Sequence, residues 1–236
     1  MTRLRRALRP ASLLLTVAAL SACGRAEAPG RDRPAGAATT PAGARPVSSS
    51  NDSSVLQAAD LARTQGDTAA PVWMVIVSDF QCPYCKSWHD QTYPALQKEY
   101  VQTGKVRMAY INYPLPSHQN AMPAAEAAMC AGVQGKFWPM QDALFDSQER
   151  WSQVSAAAPF FDSLATHAGV DAAAMRACVQ GHAVRPLIEA DKDRAARAGI
   201  NSTPSFIIGD SLIEGAYPPD RFRRALDAAL AARQGR

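Results

Sequence analysis

The apolar positions of this chain fall into short runs separated by glycine, proline and polar turns. VWMVIV (72–77) is a continuous apolar run, the pattern of a strand covered on both faces. Residues 83 to about 103 read as a helix, with a kink expected near Pro94 and a stop at Gly104. KVRMAYINY (105–113) predicts a second strand, and the strand–helix–strand spacing predicts that the two pair in parallel. Residues from about 117 to 183 are Ala-rich and helical throughout, without strand-like alternation. Another helix is expected over 185–198. SFIIG and SLIEGA then predict a hairpin turning at Gly209-Asp210, followed by a helix from about Pro219 to Ala232. The order β-α-β, helical insert, α-β-β-α describes an α/β domain with an inserted all-helical subdomain, placed at 55–234.

The first 54 residues follow different rules. Residues 1–22 have an arginine-containing head and an apolar run over 11–20, too short to span a bilayer and suited to a secretory signal. Leu20-Ser21-Ala22-Cys23 looks like a bacterial lipobox, so Cys23 is expected to be lipidated and to become the first residue. An ordinary cut after Ser21 is the rival reading. Residues 24–54 hold four glycines, four prolines and seven alanines but one larger aliphatic, Val47, so they cannot bury enough surface to order themselves. Segment 23–54 therefore reads as a lipidated cysteine and a tether of about 30 Å root-mean-square span. Lipid anchorage would hold the domain to the cell envelope outside the cytoplasm, where disulfides persist.

Charge adds little once it is located. The formal +4 comes from Arg3, Arg5, Arg6 and Arg9; without them 21 basic residues face 21 acidic ones. No nucleic-acid partner is implied. Phosphate-loop, dinucleotide and metalloprotease motifs are missing from the sequence, so no cofactor is expected.

The chemistry concentrates in SDFQCPYCKSW (78–88). Cys82 falls where a buried strand ends and a helix starts, with Pro83 at the first helical position. Unpaired backbone N–H groups and the helix dipole at that point favour thiolate over thiol, and the thiolate is the reactive form. Cys85, one turn on, shares that face, so Cys82 is expected to attack and Cys85 to resolve the mixed disulfide. A metal reading needs further ligands. His89 is a conceivable third, but His118, His167 and His182 are scattered and no second CxxC or HxxxH occurs. A lipoprotein gripping copper or zinc stays as the alternative from another class. A bracing disulfide across four residues would constrain little.

Three segments together resemble the DsbA-like thioredoxin-fold thiol:disulfide oxidoreductases: SDFQCPYC after an apolar strand, GKFW (135–138) and GINSTPSFIIG (199–209). The likeness covers about residues 70–232. It implies a thioredoxin-like fold with a helical insertion, acting as a monomer. The implied clients are reduced or misfolded extracytoplasmic proteins, with a quinone-linked membrane protein as redox partner. It also implies a cis Pro204 facing the cysteines, with Thr203 offering backbone groups to an extended substrate segment. Pro83 and Tyr84 would tune the pair. Where many relatives carry an acidic residue beneath the cysteines this chain has Ile76, which leaves water or Asp79 to move protons at Cys85. Tyr84 replaces the histidine of strong oxidants and stabilises the Cys82 thiolate less. Cysteines occur at the places of Cys130 and Cys178 in many such proteins, which favours a structural bridge there over two buried thiols. A reductase or isomerase would use Cys82 and Cys85 in the opposite direction.

Overall fold

The computed structural model describes residues 49–235. The signal segment, Cys23 and most of the tether lie outside the described residues. The first helix, α1 (Ser49–Ala62), begins inside the stretch read as tether. Its later residues explain this, because Val55, Ala59 and Ala62 pack against the main core and repay the ordering of the turns before them. A two-residue strand, β1 (Thr64–Gln65), follows and pairs antiparallel with β3. TQ carries no strand pattern, and only its position against β3 makes it one.

The sheet has the order β1-β3-β2-β4-β5. β2 (Val72–Ser78) lies at its centre, parallel to β3 (Val106–Asn112) and antiparallel to β4 (Ser205–Ile208). β4 turns into β5 (Ser211–Glu214) through Gly209-Asp210, with Gly209 at φ +56°. Between β2 and β3 the chain forms α2 (Pro83–Gln91), α3 (Tyr93–Leu96) and a π-helical turn (Gln97–Val101), where the sequence predicted one kinked helix. The break falls at Thr92, whose φ of −119° leaves the helical range and whose hydroxyl donates to the Tyr217 carbonyl at 2.9 Å. Pro94, two places later, has no N–H to continue the ladder. Gly104 ends the segment at φ +73°.

The insert holds α4 (Ala121–Val133), α5 (Phe137–Asp146), α6 (Gln148–Trp151), α7 (Ala158–His167) and α8 (Ala172–Gln180). Then α9 (Arg185–Arg197) packs on β3, and α10 (Pro219–Gln234) closes the domain. One sheet face carries Met74, Ile76, Met108, Tyr110 and Phe206 into the main core with Phe80, Leu96 and Phe222. The other face holds a small cluster of Val77, Ala195 and Ile200. The 72–77 run is therefore not covered on both faces throughout. Trp73 is 44% exposed, and the Arg107 guanidinium lies over its ring at 4.6 Å. Among the described residues no helix is long and apolar enough to cross a membrane.

Candidate active site

The turn after β2 builds the site. Cys82 N–H donates to the Asp79 carbonyl at 3.1 Å, and Gln81 N–H donates to the Asp79 carboxylate at 2.7 Å, which folds the chain sharply. Cys82 is the N-cap of α2, extended at φ −70° and ψ 123°, and Pro83 occupies the first helical turn. One turn in, the fully buried Cys85 accepts the Asp79 N–H at 3.5 Å. Across from α2, the Thr203–Pro204 peptide is cis, and the Thr203 carbonyl accepts from the Cys82 thiol at 3.5 Å. Cys82 and Thr203, 121 positions apart in sequence, thus meet at one place, with Cys85 one turn into α2 and Pro204 next to Thr203. Tyr84 points outward, 68% exposed, beside them. Both cysteines are free thiols.

Their acidities are pulled apart. The Cys82 pKa falls from the ordinary 9.0 to about 6, chiefly because the Cys85 thiol donates to it. Burial opposes this; the Thr203 side chain and then the backbone N–H groups of Cys85 and Tyr84 lower it further. Cys85 is driven well above the ordinary thiol value, first by burial and then by the Cys82 sulfur. The start of the helix, which the sequence made the principal cause, contributes less than the neighbouring thiol. Thr203 Oγ1 is buried and has no hydrogen-bond partner, so its proton is free for the thiolate. We expect Thr203→Val to raise the Cys82 pKa by about half a unit to one unit, read from thiolate absorbance against pH.

Polar side chains that the sequence reading overlooked clamp this turn to the insert. Gln148 Nε2 donates to the carbonyls of Phe80 at 2.6 Å and Cys82 at 3.0 Å. Gln81 donates to the Ser152 carbonyl at 2.7 Å and accepts from Asn120 N–H at 2.7 Å. Asp79, considered as proton acceptor or helix cap, does not cap α2. Its carboxylate takes the N–H groups of Gln81 and Leu115 and lies 2.7 Å from His118 Nδ1. Burial is the main reason its pKa is raised. Beside Pro83 a groove of about 550 Å³ is lined by Lys86, Asp90, Gln148 and Glu149 among others, a polar surface next to the exposed edge of the site.

The family model described as Thioredoxin matches residues 59–228. The chain belongs to the thioredoxin family. A relative named "Probable disulfide bond formation protein D" from Bacillus anthracis is 25% identical over 168 residues, covering 70% of this chain and 76% of its own. Among solved structures, alpha-DsbA1 from Wolbachia pipientis superposes with TM-score 0.66 at 22% identity, covering 72% of this chain and 92% of that one. Oxidised BdbD from Bacillus subtilis gives TM-score 0.66 at 21% identity with the same coverage. The DsbA-like thioredoxin fold with a helical insertion, expected from three short segments, is the fold observed. The chain is a DsbA-like thiol:disulfide oxidoreductase, and an acidic cysteine beside a buried one is the equipment for that exchange.

Two further groups belong to this thioredoxin-family domain. Cys130 of α4 and Cys178 of α8 form a disulfide with Cα atoms 5.8 Å apart, across 48 positions. We expect the double variant Cys130→Ala/Cys178→Ala to lose up to about 4 kcal/mol of stability in urea titration while keeping the active pair. His89, the conceivable metal ligand, has both ring nitrogens against carboxylates: Nδ1 lies 3.1 Å from Asp90 and Nε2 3.0 Å from Asp142. Among the described residues, the candidate cation ligands are His89, Asp90 and Asp146, a set without either cysteine.

Proposed function

We propose that this chain donates the Cys82–Cys85 disulfide to reduced proteins outside the cytoplasm, held at the envelope by a lipid on Cys23. Cys82 is the sulfur that clients attack and Cys85 the resolving partner. Thr203 and Pro204 form the ledge on which an extended client segment lies. The observation that carries this reading is the split in acidity, with Cys82 near 6 and Cys85 far above it. A sulfur that is comfortable as thiolate is a good leaving group, and a disulfide containing it gives up its oxidising equivalents readily. At pH 7 the thiolate favours the reduced form by about one pK unit, at most about 30 mV for a two-electron couple.

The sequence around the pair supports a donor milder than the strongest of the family, since Tyr84 carries no positive charge. The expected reduction potential lies between about −120 mV and about −200 mV. Equilibration with glutathione buffers, read by mass, measures it. A value as low as about −270 mV would make the chain a reductase and remove the donor role. With Cys85→Ser, mixed disulfides between Cys82 and envelope proteins should accumulate; their absence would show that Cys82 is not the client-facing sulfur. Globomycin treatment or Cys23→Ala, followed by membrane fractionation, tests the anchor.

A further inference from the structure

Cys85 sits in an apolar, fully buried position, yet during exchange it carries charge. The register of the sheet shows what lies beneath it. Ile76 pairs with Tyr110 and Ser78 with Asn112 in the parallel β2–β3 ladder. Tyr110 therefore projects on the same face as Ile76 and Ser78, the face packed with Phe80 and Cys85. Its ring is stacked on Phe80 at 5.1 Å and tilted against Phe137 at 5.3 Å, which leaves it little freedom. Tyr110 is 1% exposed, and its hydroxyl has no hydrogen-bond partner that meets normal geometry. A buried hydroxyl without a partner is uncommon and calls for a reason.

Ser78 supplies the connection. It is buried, it lies two residues beyond Ile76 on the sheet face that Tyr110 shares, and the N–H of the next residue, Asp79, reaches the Cys85 sulfur at 3.5 Å, which sets Ser78 between the two groups. The Asp79 carboxylate is engaged by Gln81, Leu115 and His118. Cys85 otherwise receives one long bond, from Asp79 N–H at 3.5 Å.

We propose that Ser78 and Tyr110 are positioning residues for Cys85, a chain of two hydroxyls that turns toward its sulfur when the Cys82–Cys85 bond opens. The inference rests on the thiol–disulfide exchange reading above but not on its direction. In the opening step a client thiolate forms a bond to Cys82 Sγ, the Cys82–Cys85 bond breaks, and the electron pair passes to Cys85 Sγ. Negative charge moves from the client sulfur to Cys85, and no proton is needed to balance it. Ser78 O–H donates to the new thiolate, and Tyr110 O–H donates to the Ser78 oxygen, strengthening that bond. The same contacts serve the reverse step, in which Cys85 attacks the Cys82 mixed disulfide. They occupy the role that a charged group would take if Ile76 were acidic, using dipoles that cost less to bury.

The test uses the oxidised protein and glutathione as the attacking thiol, with rapid quenching and mass detection of the Cys82 adduct from pH 5 to 11. Ser78→Ala and Tyr110→Phe should each slow opening about fivefold. Because Tyr110 acts through Ser78, the double variant should be no slower than Ser78→Ala alone. The pH midpoint for closure by Cys85 should rise by about half a unit or more in both variants. The Cys82 midpoint should stay near 6, and Ser78→Thr, which keeps the hydroxyl, should restore the rate. Wild-type rates in both variants would overturn the proposal, as would slowing with no change in the closure midpoint, which is the mark of altered packing. A wild-type protein that takes up no glutathione would overturn the exchange reading itself and this inference with it.

Discussion

Alkylation of the reduced protein by iodoacetamide is expected to rise through a midpoint near pH 6 at Cys82, whereas an ordinary thiol has its midpoint at 9.0. Two opposing effects set the size. At pH 7 about nine-tenths of Cys82 is thiolate, against about one part in a hundred for an ordinary thiol, but a less basic sulfur is intrinsically a weaker nucleophile. With a Brønsted slope of about 0.45, three pK units remove about twentyfold of intrinsic reactivity, leaving a net advantage of about fourfold at pH 7 and about fortyfold at pH 5. The advantage growing toward acid is the signature to look for. Cys82→Ser should abolish exchange, a fall of at least about a thousandfold, since an alkoxide is not available at that pH. The linkage has a definite sign. The folded pKa lies below the unfolded one, so the thiolate stabilises the reduced fold fully above the ordinary thiol range, and that support is lost as pH falls through about 6. A midpoint at or above 8 would remove the physical basis for donation by Cys82.

Much of this was legible along the chain, for reasons that can be named. The CPYC box advertised itself because proline and two cysteines at a strand-to-helix junction leave few other uses. β2, β3 and the β4–β5 hairpin were visible because each carries apolar residues in a strand-length run between turn residues. What escaped notice depended on long-range contacts. TQ at 64–65 becomes a strand only because β3 offers it an edge. Nothing local marks Gln148 as the donor to Cys82's carbonyl, or Asn120 as the partner of Gln81. Tyr110 read as one more apolar strand residue; its meaning appears only when the ladder sets it beside Ile76. The cause of Cys82's acidity was misweighted for the same reason. Helix position can be read from sequence, whereas the orientation of one thiol toward another cannot.

Arg63→Ala is expected to cost about 3–5 kcal/mol of folding stability, measured by urea titration. Arg63 is buried and forms an ion pair with Asp191 of α9, which is completely buried. Asp191 also accepts Asn112 N–H at 3.1 Å, and Arg63's carbonyl accepts Tyr110 N–H at 3.0 Å, so the cluster ties α1 and α9 to β3 next to the site. Removing the guanidinium leaves a carboxylate in a dry interior with two amide donors and the partly exposed Arg194 for company. Replacing both partners by apolar residues, Arg63→Met with Asp191→Leu, should recover most of the loss, because the penalty lies in the stranded charge and not in the absent bond. Acidity separates the two cases. Burial already raises the Asp191 pKa above 3.8 despite Arg63, and without Arg63 it rises further. A carboxyl raised in the folded state contributes stability below its unfolded value and loses it as pH climbs through the folded one. The deficit of Arg63→Ala should therefore shrink as pH falls toward 3.8, while that of the apolar pair should not. A deficit independent of pH would assign the loss to packing of the arginine stem. Exchange at pH 7 without denaturant should change less than twofold in either variant, since neither Arg63 nor Asp191 has a hydrogen bond or ion pair to Cys82 or Cys85.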